Sequence, residues 1–257
     1  MKHDPTLYNK KVLFQLSTKY ANGYHTALIF IHGGAWVDPS NTSNDFKIMA
    51  ETINDINLKS SNHNDNISLF GIEYRLSPLV KHPIHLQDVI ININRLIQDY
   101  KINLLYLCGH SVGATLIWQI LSDKSPQLAF LNKDLNSIHS KLAGIFLLDG
   151  IYSLHELLDE YADYNSFVSK AFDDIDIEYP DPKYDIIKSK DVLSHIDIHI
   201  IHSYNDELLT LRQTNYFVRY LEEVKIHFTL TVGEYGLHND VFTNKEVAKL
   251  LYSNIFF

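Results

Sequence analysis

The chain has 257 residues, 46% hydrophobic and 21% charged, which is ordinary globular composition and excludes a disordered or fibrous protein. Twenty-two Lys and Arg against thirty-one Asp and Glu leave a net charge of −9, which argues against partners such as nucleic acid or an anionic membrane surface. The single cysteine, Cys108, cannot close an intramolecular disulfide, residues 1–5 carry no apolar signal core, and no run approaches membrane-span length, so a cytoplasmic protein is expected.

In chain order, short apolar runs alternate with longer amphipathic ones, the pattern of an α/β fold with a mostly parallel central sheet flanked by helices. After a strand predicted over 12–16, Ala27-Leu28-Ile29-Phe30-Ile31 reads as a strand buried on both faces. It runs into His32-Gly33-Gly34-Ala35-Trp36. A helix follows over 44–58, a strand over 68–74, and a helix over 83–100 with Leu86, Ile90, Ile93 and Ile97 on one stripe. His82 and His85, flanking Pro83, read as surface residues. The strand over 104–108 leads through Gly109-His110-Ser111-Val112-Gly113 into a helix over 113–121 that is apolar nearly all round. Strands are then predicted over 144–148, 199–203 and 227–232, and helices over 208–224 and 239–253. Two stretches, 125–141 and 155–195, break the alternation. The second reads as a small cap, with Tyr152, Tyr161, Tyr164, Phe167 and Phe172 to pack it; the whole chain, 1–257, is expected to be one domain.

The pentapeptide around Ser111 matches Gly-x-Ser-x-Gly in the strand–turn–helix context that a nucleophile elbow needs. The glycines permit a tight turn, and the helix start offers backbone N–H groups and a positive dipole end to an oxyanion. A serine here also suits a helix N-cap. Two glycines after a strand could simply make a turn, but a His-Gly-Gly run after an early strand is the usual second half of an oxyanion hole, so the amides around Gly34 and Ala35 are expected to join that of Val112. With the order serine, acid, histidine along such a chain, Asp206 follows the strand over 199–203, while Asp149 at the end of 144–148 is the rival acid. Only His227 and His238 come after Asp206, and His227 starts a strand at the wrong end of the sheet; His238 is the base. Asp240 is read as a cap of the last helix. His110 should point away from the Ser111 hydroxyl. His195, Asp197 and His199 alternate as a metal set would, but nothing completes the ligands, so no metal and no cofactor are expected.

The run His32-Gly33-Gly34-Ala35-Trp36 resembles the His-Gly-Gly-x-Trp motif of kynurenine formamidases, the arylformamidases of tryptophan catabolism. The fungal members in particular are similar at residues 73–78 (EYRLSP), 109–115 (GHSVGAT), 146–154 (FLLDGIYSL), 202–215 (HSYNDELLTLRQTN) and 236–241 (GLHNDV). The resemblance covers the chain from about residue 10 to its end and implies an α/β-hydrolase fold, a Ser111, Asp206 and His238 triad, a homodimer, and hydrolysis of N-formyl-L-kynurenine to L-kynurenine and formate. Such a substrate needs a wall for its aromatic ring. Trp36 is a candidate unless it packs the oxyanion loop onto the domain; Tyr152 is a second. Arg75 and Arg212, inside the matching motifs, serve either the substrate or the structure. The alternatives are a general small-ester carboxylesterase with the same triad and a non-catalytic hydrolase-fold binding protein.

Overall fold

The structure is a computed structural model that describes residues 10–14, 25–59, 67–122, 126–178 and 193–256. Seven strands form one sheet: β1 (Lys10–Phe14), β2 (Thr26–Ile31), β3 (Ile67–Ile72), β4 (Leu104–His110), β5 (Leu142–Leu148), β6 (Asp197–Ser203) and β7 (Thr229–Gly233), in the order β1-β3-β2-β4-β5-β6-β7. Only β1 runs antiparallel to its neighbour, β3; the other six are parallel. Helices cover both faces, as crossovers between parallel strands require.

The two-residue period of a strand divides each apolar run between two cores. In β2, Ala27, Ile29 and Ile31 face one side, together with α2 (Ile84–Tyr100), α3 (Val112–Ser122) and the helix α8 (Leu211–Glu223). Leu28 and Phe30 face the other, together with α1 (Lys47–Lys59) and α9 (Lys245–Phe256). The helix expected over 44–58 begins as a 3-10 turn, Ser43–Phe46, capped by Thr42. The last expected helix is likewise divided into a 3-10 turn, His238–Thr243, and α9. Asp240 caps the turn, its carboxylate accepting from the Leu237 amide, whereas Asn244 caps α9 by accepting from the Glu246 and Val247 amides. That corrects the role read for Asp240.

Residues 125–141 hold a 3-10 turn, Pro126–Leu131, and α4 (Asn132–His139), whose one buried residue, Ile138, is too little to write a periodic stripe. After β5 come α5 (Leu154–Glu160), a 3-10 turn (Ala162–Tyr164), α6 (Asn165–Ala171) and α7 (Ile175–Glu178); the rest of the expected cap, 179–192 with Pro180 and Pro182, lies outside the described residues. This excursion docks on the segment between β3 and α2. The Ala171 carbonyl accepts from the His82 amide, Phe172 stacks on His82 at 5.2 Å, and Lys81 pairs with Asp173. His82 and His85 are consequently buried rather than surface residues, with burial holding their pKa values at about 4 and about 3. A helix start read in isolation does not reveal what will cover it.

Candidate active site

The C-terminal ends of the parallel strands carry Ser111, the Gly-Gly loop, both candidate acids and His238, where open α/β sheets place their ligands. At the end of β4 the chain turns sharply at Ser111, whose φ of 53° lies in the left-handed region, and enters α3 at once. The turn is possible because its neighbours lack side chains. A Cβ on Gly113 would lie 2.0 Å from the Ile31 carbonyl oxygen, and one on Gly109 2.4 Å from the Gly113 backbone. Ser111 therefore stands at the head of an 11-residue helix with the amide of Val112 just beyond it.

The loop after β2 crosses in front of this turn. A Cβ on Gly33 would be 3.1 Å from the Ser111 Cβ, so the two segments touch. Gly34, Ala35 and Trp36 all have positive φ, 92°, 50° and 61°, a curl closed by the Val37 and Asp38 amides donating to the Gly34 carbonyl. Two adjacent non-glycine residues in that region carry strain that surrounding structure must hold. The residues after β3 supply it. Because β2 and β3 are parallel with Ile31 opposite Ile72, His32 comes beside Glu73 and Tyr74. Tyr74 stacks on the His32 ring at 4.4 Å and donates its hydroxyl to the Gly33 carbonyl at 2.7 Å. Glu73 reaches His32 Nε2 at 3.3 Å and accepts from the amide and hydroxyl of Ser43. Burial pushes the Glu73 carboxyl up, but the hydrogen bonds from His32 and Ser43 outweigh it and bring the pKa to about 2.

Opposite the loop stand the acid and base segments. His238 Nδ1 donates to Asp206 Oδ2 at 2.7 Å, and the Asp206 side chain is fully buried. The other Asp206 oxygen accepts from the Leu208 and Leu209 amides, both at 2.8 Å, while the His238 amide donates to Glu207. One more contact joins these segments to the elbow and another joins them to each other. His110 turns behind the serine, its ring 4.5 Å from that of His238 and its Nε2 donating to the His238 carbonyl. Ser203, at the end of β6, donates its hydroxyl to the Gly236 carbonyl. Asp149 makes its bond elsewhere: its Oδ1 accepts from the Ser203 amide at 2.8 Å.

The structure thus brings Ser111, Val112, His32, Gly33, Gly34 and Ala35 together on one side and Asp206 with His238 on the other. Trp36 and Tyr152 are both fully buried. Trp36 packs edge-on against Phe172 at 5.1 Å and near Phe167, which joins the oxyanion loop to the cap helices, and Tyr152 stacks on Phe217 at 4.1 Å in the core. Arg75 forms a two-pronged pair with Asp88, and Arg212 bonds Glu156 and Asp159, so both hold helices in place. For a metal, two triplets have donor atoms within 4.8 Å of one another, His110 with Asp149 and His238, and Asp149 with His202 and Asp206. His202 has both ring nitrogens engaged, with the Leu209 carbonyl and Thr214, and His238 Nδ1 bonds Asp206, whereas His110 Nδ1 has no hydrogen-bond partner among the described residues. The other proposed set is dispersed, since His195 precedes β6 and is exposed while His199 is buried on Phe146.

Glu73, Tyr74 and Gln213 lie inside the matching runs, but the runs alone assign them no role. Gln213 accepts from the Tyr152 and Ser153 amides and donates to the Ser153 carbonyl, fixing the segment beyond Asp149. For Glu73 and Tyr74 the available signal is their place just past a strand parallel to β2.

Residues 16–221 match the BD-FAE family model, an α/β-hydrolase family. Across the whole chain the likeness is closer to named enzymes. The kynurenine formamidase of Saccharomyces cerevisiae is 43% identical over 98% of this chain and 96% of its own length, and that of Eremothecium gossypii 41% over 89% and 92%. The chain belongs to the kynurenine formamidase family. As a member it is a serine hydrolase that cleaves amides. Among solved structures, esterase B from Lactobacillus rhamnosis aligns with a TM-score of 0.67 at 14% identity, covering 99% of this chain and 85% of that one. An acetyl ester-xyloside bifunctional hydrolase from Caldicellulosiruptor lactoaceticus aligns at 0.64 and 18%, covering 98% and 88%. At those identities the likeness establishes the α/β-hydrolase fold.

Proposed function

We propose that the protein hydrolyses N-formyl-L-kynurenine to L-kynurenine and formate within tryptophan catabolism, using Ser111 as nucleophile, His238 as base and then acid, and Asp206 as the orienting carboxylate. The observation that carries this reading is the 2.7 Å bond from His238 Nδ1 to Asp206, which leaves Nε2 as the ring nitrogen free to take a proton. His238 removes the Ser111 proton as the hydroxyl attacks the formyl carbon. The tetrahedral oxyanion is held by the amides of Val112, Gly34 and Ala35, each such donor contributing about 3–4 kcal/mol in the transition state. The proton then passes from His238 to the arylamine nitrogen, kynurenine leaves, and a water activated by the same imidazole releases formate from Ser111. Asp206, with three donors on its two oxygens, holds the imidazole in one tautomer throughout.

The test compares kcat/KM of the purified protein on N-formylkynurenine with that on short p-nitrophenyl esters. Preference for the formamide is expected, and ester turnover without measurable deformylation sinks the assignment in favour of a carboxylesterase. Ser111→Ala is expected to lower kcat by on the order of 10⁴-fold or more on either substrate. A variant that kept its activity would overturn the mechanism and not only the substrate.

A further inference from the structure

At the end of β5 the chain passes through Asp149 with a φ of 42°, and its side chain is buried completely. One oxygen accepts from the Ser203 amide and lies 3.4 Å from His202 Nδ1. The other, Oδ2, is buried with no hydrogen-bond partner among the described residues. A carboxyl group with one donor and one orphan oxygen is a poor place for a charge. The groups around it are His110 from β4, His202 from β6, Asp206 and Glu207 from the loop after β6, and His238. Neither His110 nor His202 supplies a cation, because burial lowers both pKa values and each ring donates Nε2–H to a carbonyl, of His238 and Leu209 respectively.

Asp149 and Asp206 have oxygens within 4.8 Å of each other, and Asp149 is as near to a nitrogen of His238. Two buried carboxyl groups that close do not both ionise; the one that meets more hydrogen-bond donors keeps the charge. That is Asp206. Asp149 is then the neutral acid, pushed up by burial and by the charges of Asp206 and Glu207.

We propose that Asp149 is a second positioning acid for His238, held in reserve beside Asp206 and able to take over the imidazole when Asp206 carries no charge. This rests on the reading of Ser111, His238 and Asp206 given above. With Asp206 neutralised, the largest charge opposing ionisation of Asp149 disappears. Burial still opposes ionisation, so its proton passes to solvent only as the pH rises, and the new carboxylate then lies within reach of the imidazolium that forms during turnover.

The experiment measures kcat and KM for N-formylkynurenine across pH, with melting temperatures, for wild type, Asp149→Asn, Asp206→Asn and the double variant. Asp149→Asn replaces a neutral acid by an amide of the same shape, so kcat within about threefold of wild type is expected. Asp206→Asn is expected to lose on the order of 10⁴-fold in kcat and to keep a residual activity that rises with pH. Adding Asp149→Asn should remove that rising limb and cost at least about tenfold more than it does alone. Equal factors in both backgrounds, or an unchanged pH profile in the double variant, overturn the proposal. Should Asp149→Asn melt markedly lower, Asp149→Ser repeats the comparison and the same non-additivity is required of it. Loss of activity in His238→Ala together with independent Asp149 and Asp206 effects would sink the second acid and leave the triad standing. A fully active Asp206→Asn beside an inactive Asp149→Asn would remove both readings, by making Asp149 the principal acid.

Discussion

Glu73 lies two strands away from the nucleophile yet holds the loop that faces it. Its carboxylate accepts from the Ser43 amide and hydroxyl and contacts His32 Nε2, so it ties the oxyanion loop to the start of the α1 segment. Glu73→Gln keeps the volume and removes the charge, and a loss of about 1.5–3 kcal/mol is expected from weakened bonds to an ionised acceptor. The pH dependence has a definite sign. The folded-state pKa is depressed from 4.5 to about 2, so the carboxylate's contribution is present above pH 4.5 and disappears as the pH falls towards about 2. Melting temperatures of the two proteins should differ most at neutral pH and converge across that window. A gap that stays constant down to pH 2 would place the stabilisation elsewhere.

At the scale of elements, the site depends on two close approaches. The first is α3 against the end of β2, where Gly113 leaves 2.0 Å between an added Cβ and the Ile31 oxygen. Gly113→Ala is expected to cost about 3 kcal/mol or more and to displace Ser111 from its loop, read as a lower denaturation midpoint together with lost turnover. The second is the cap against the oxyanion loop through Trp36, Phe167, Phe172 and His82. Trp36→Ala should lower stability by about 3–5 kcal/mol, with kcat falling as the curl of positive-φ residues loosens. If KM rose while the melting temperature held, the indole would be touching substrate instead. In both cases the apolar runs of β2 and α3 are plain from residue order, but the glycine spacing matters only because two chains meet there.

For the molecule as a whole, one sheet gathers the ends of β2, β4, β5, β6 and β7 into a single rim, which brings residues 32, 111, 149, 206 and 238 together. Among the described residues no helix is long and apolar enough to cross a membrane. Cys108, in the middle strand β4 one residue before the elbow glycine, is fully buried and its thiol is pushed up by burial. It should resist thiol reagents in the folded protein and react fully in denaturant, so that labelling follows global unfolding. Rapid labelling under native conditions would mean that the central sheet opens locally.

The sequence by itself determined the α/β class, the order of strands and helices, and the residue types set out at the elbow, the Gly-Gly loop and the last two loops. Each of these is a local property: an apolar run of a given period, a turn residue beside it, a motif a few residues long. Tertiary structure alone decided which of two acids bonds His238, that His82 and His85 are covered, that Arg75 and Arg212 brace helices, and that Glu73 and Tyr74 hold the oxyanion loop. Asp149 and Asp206 both follow strands that end on the same rim, and neither residue type nor order along the chain separates them. The separation comes from the donors each carboxyl meets: Asp206 accepts from the Leu208 and Leu209 amides of its own turn and from the distant His238, Asp149 only from the distant Ser203 amide, and the distant partners arrive only once the chain has folded.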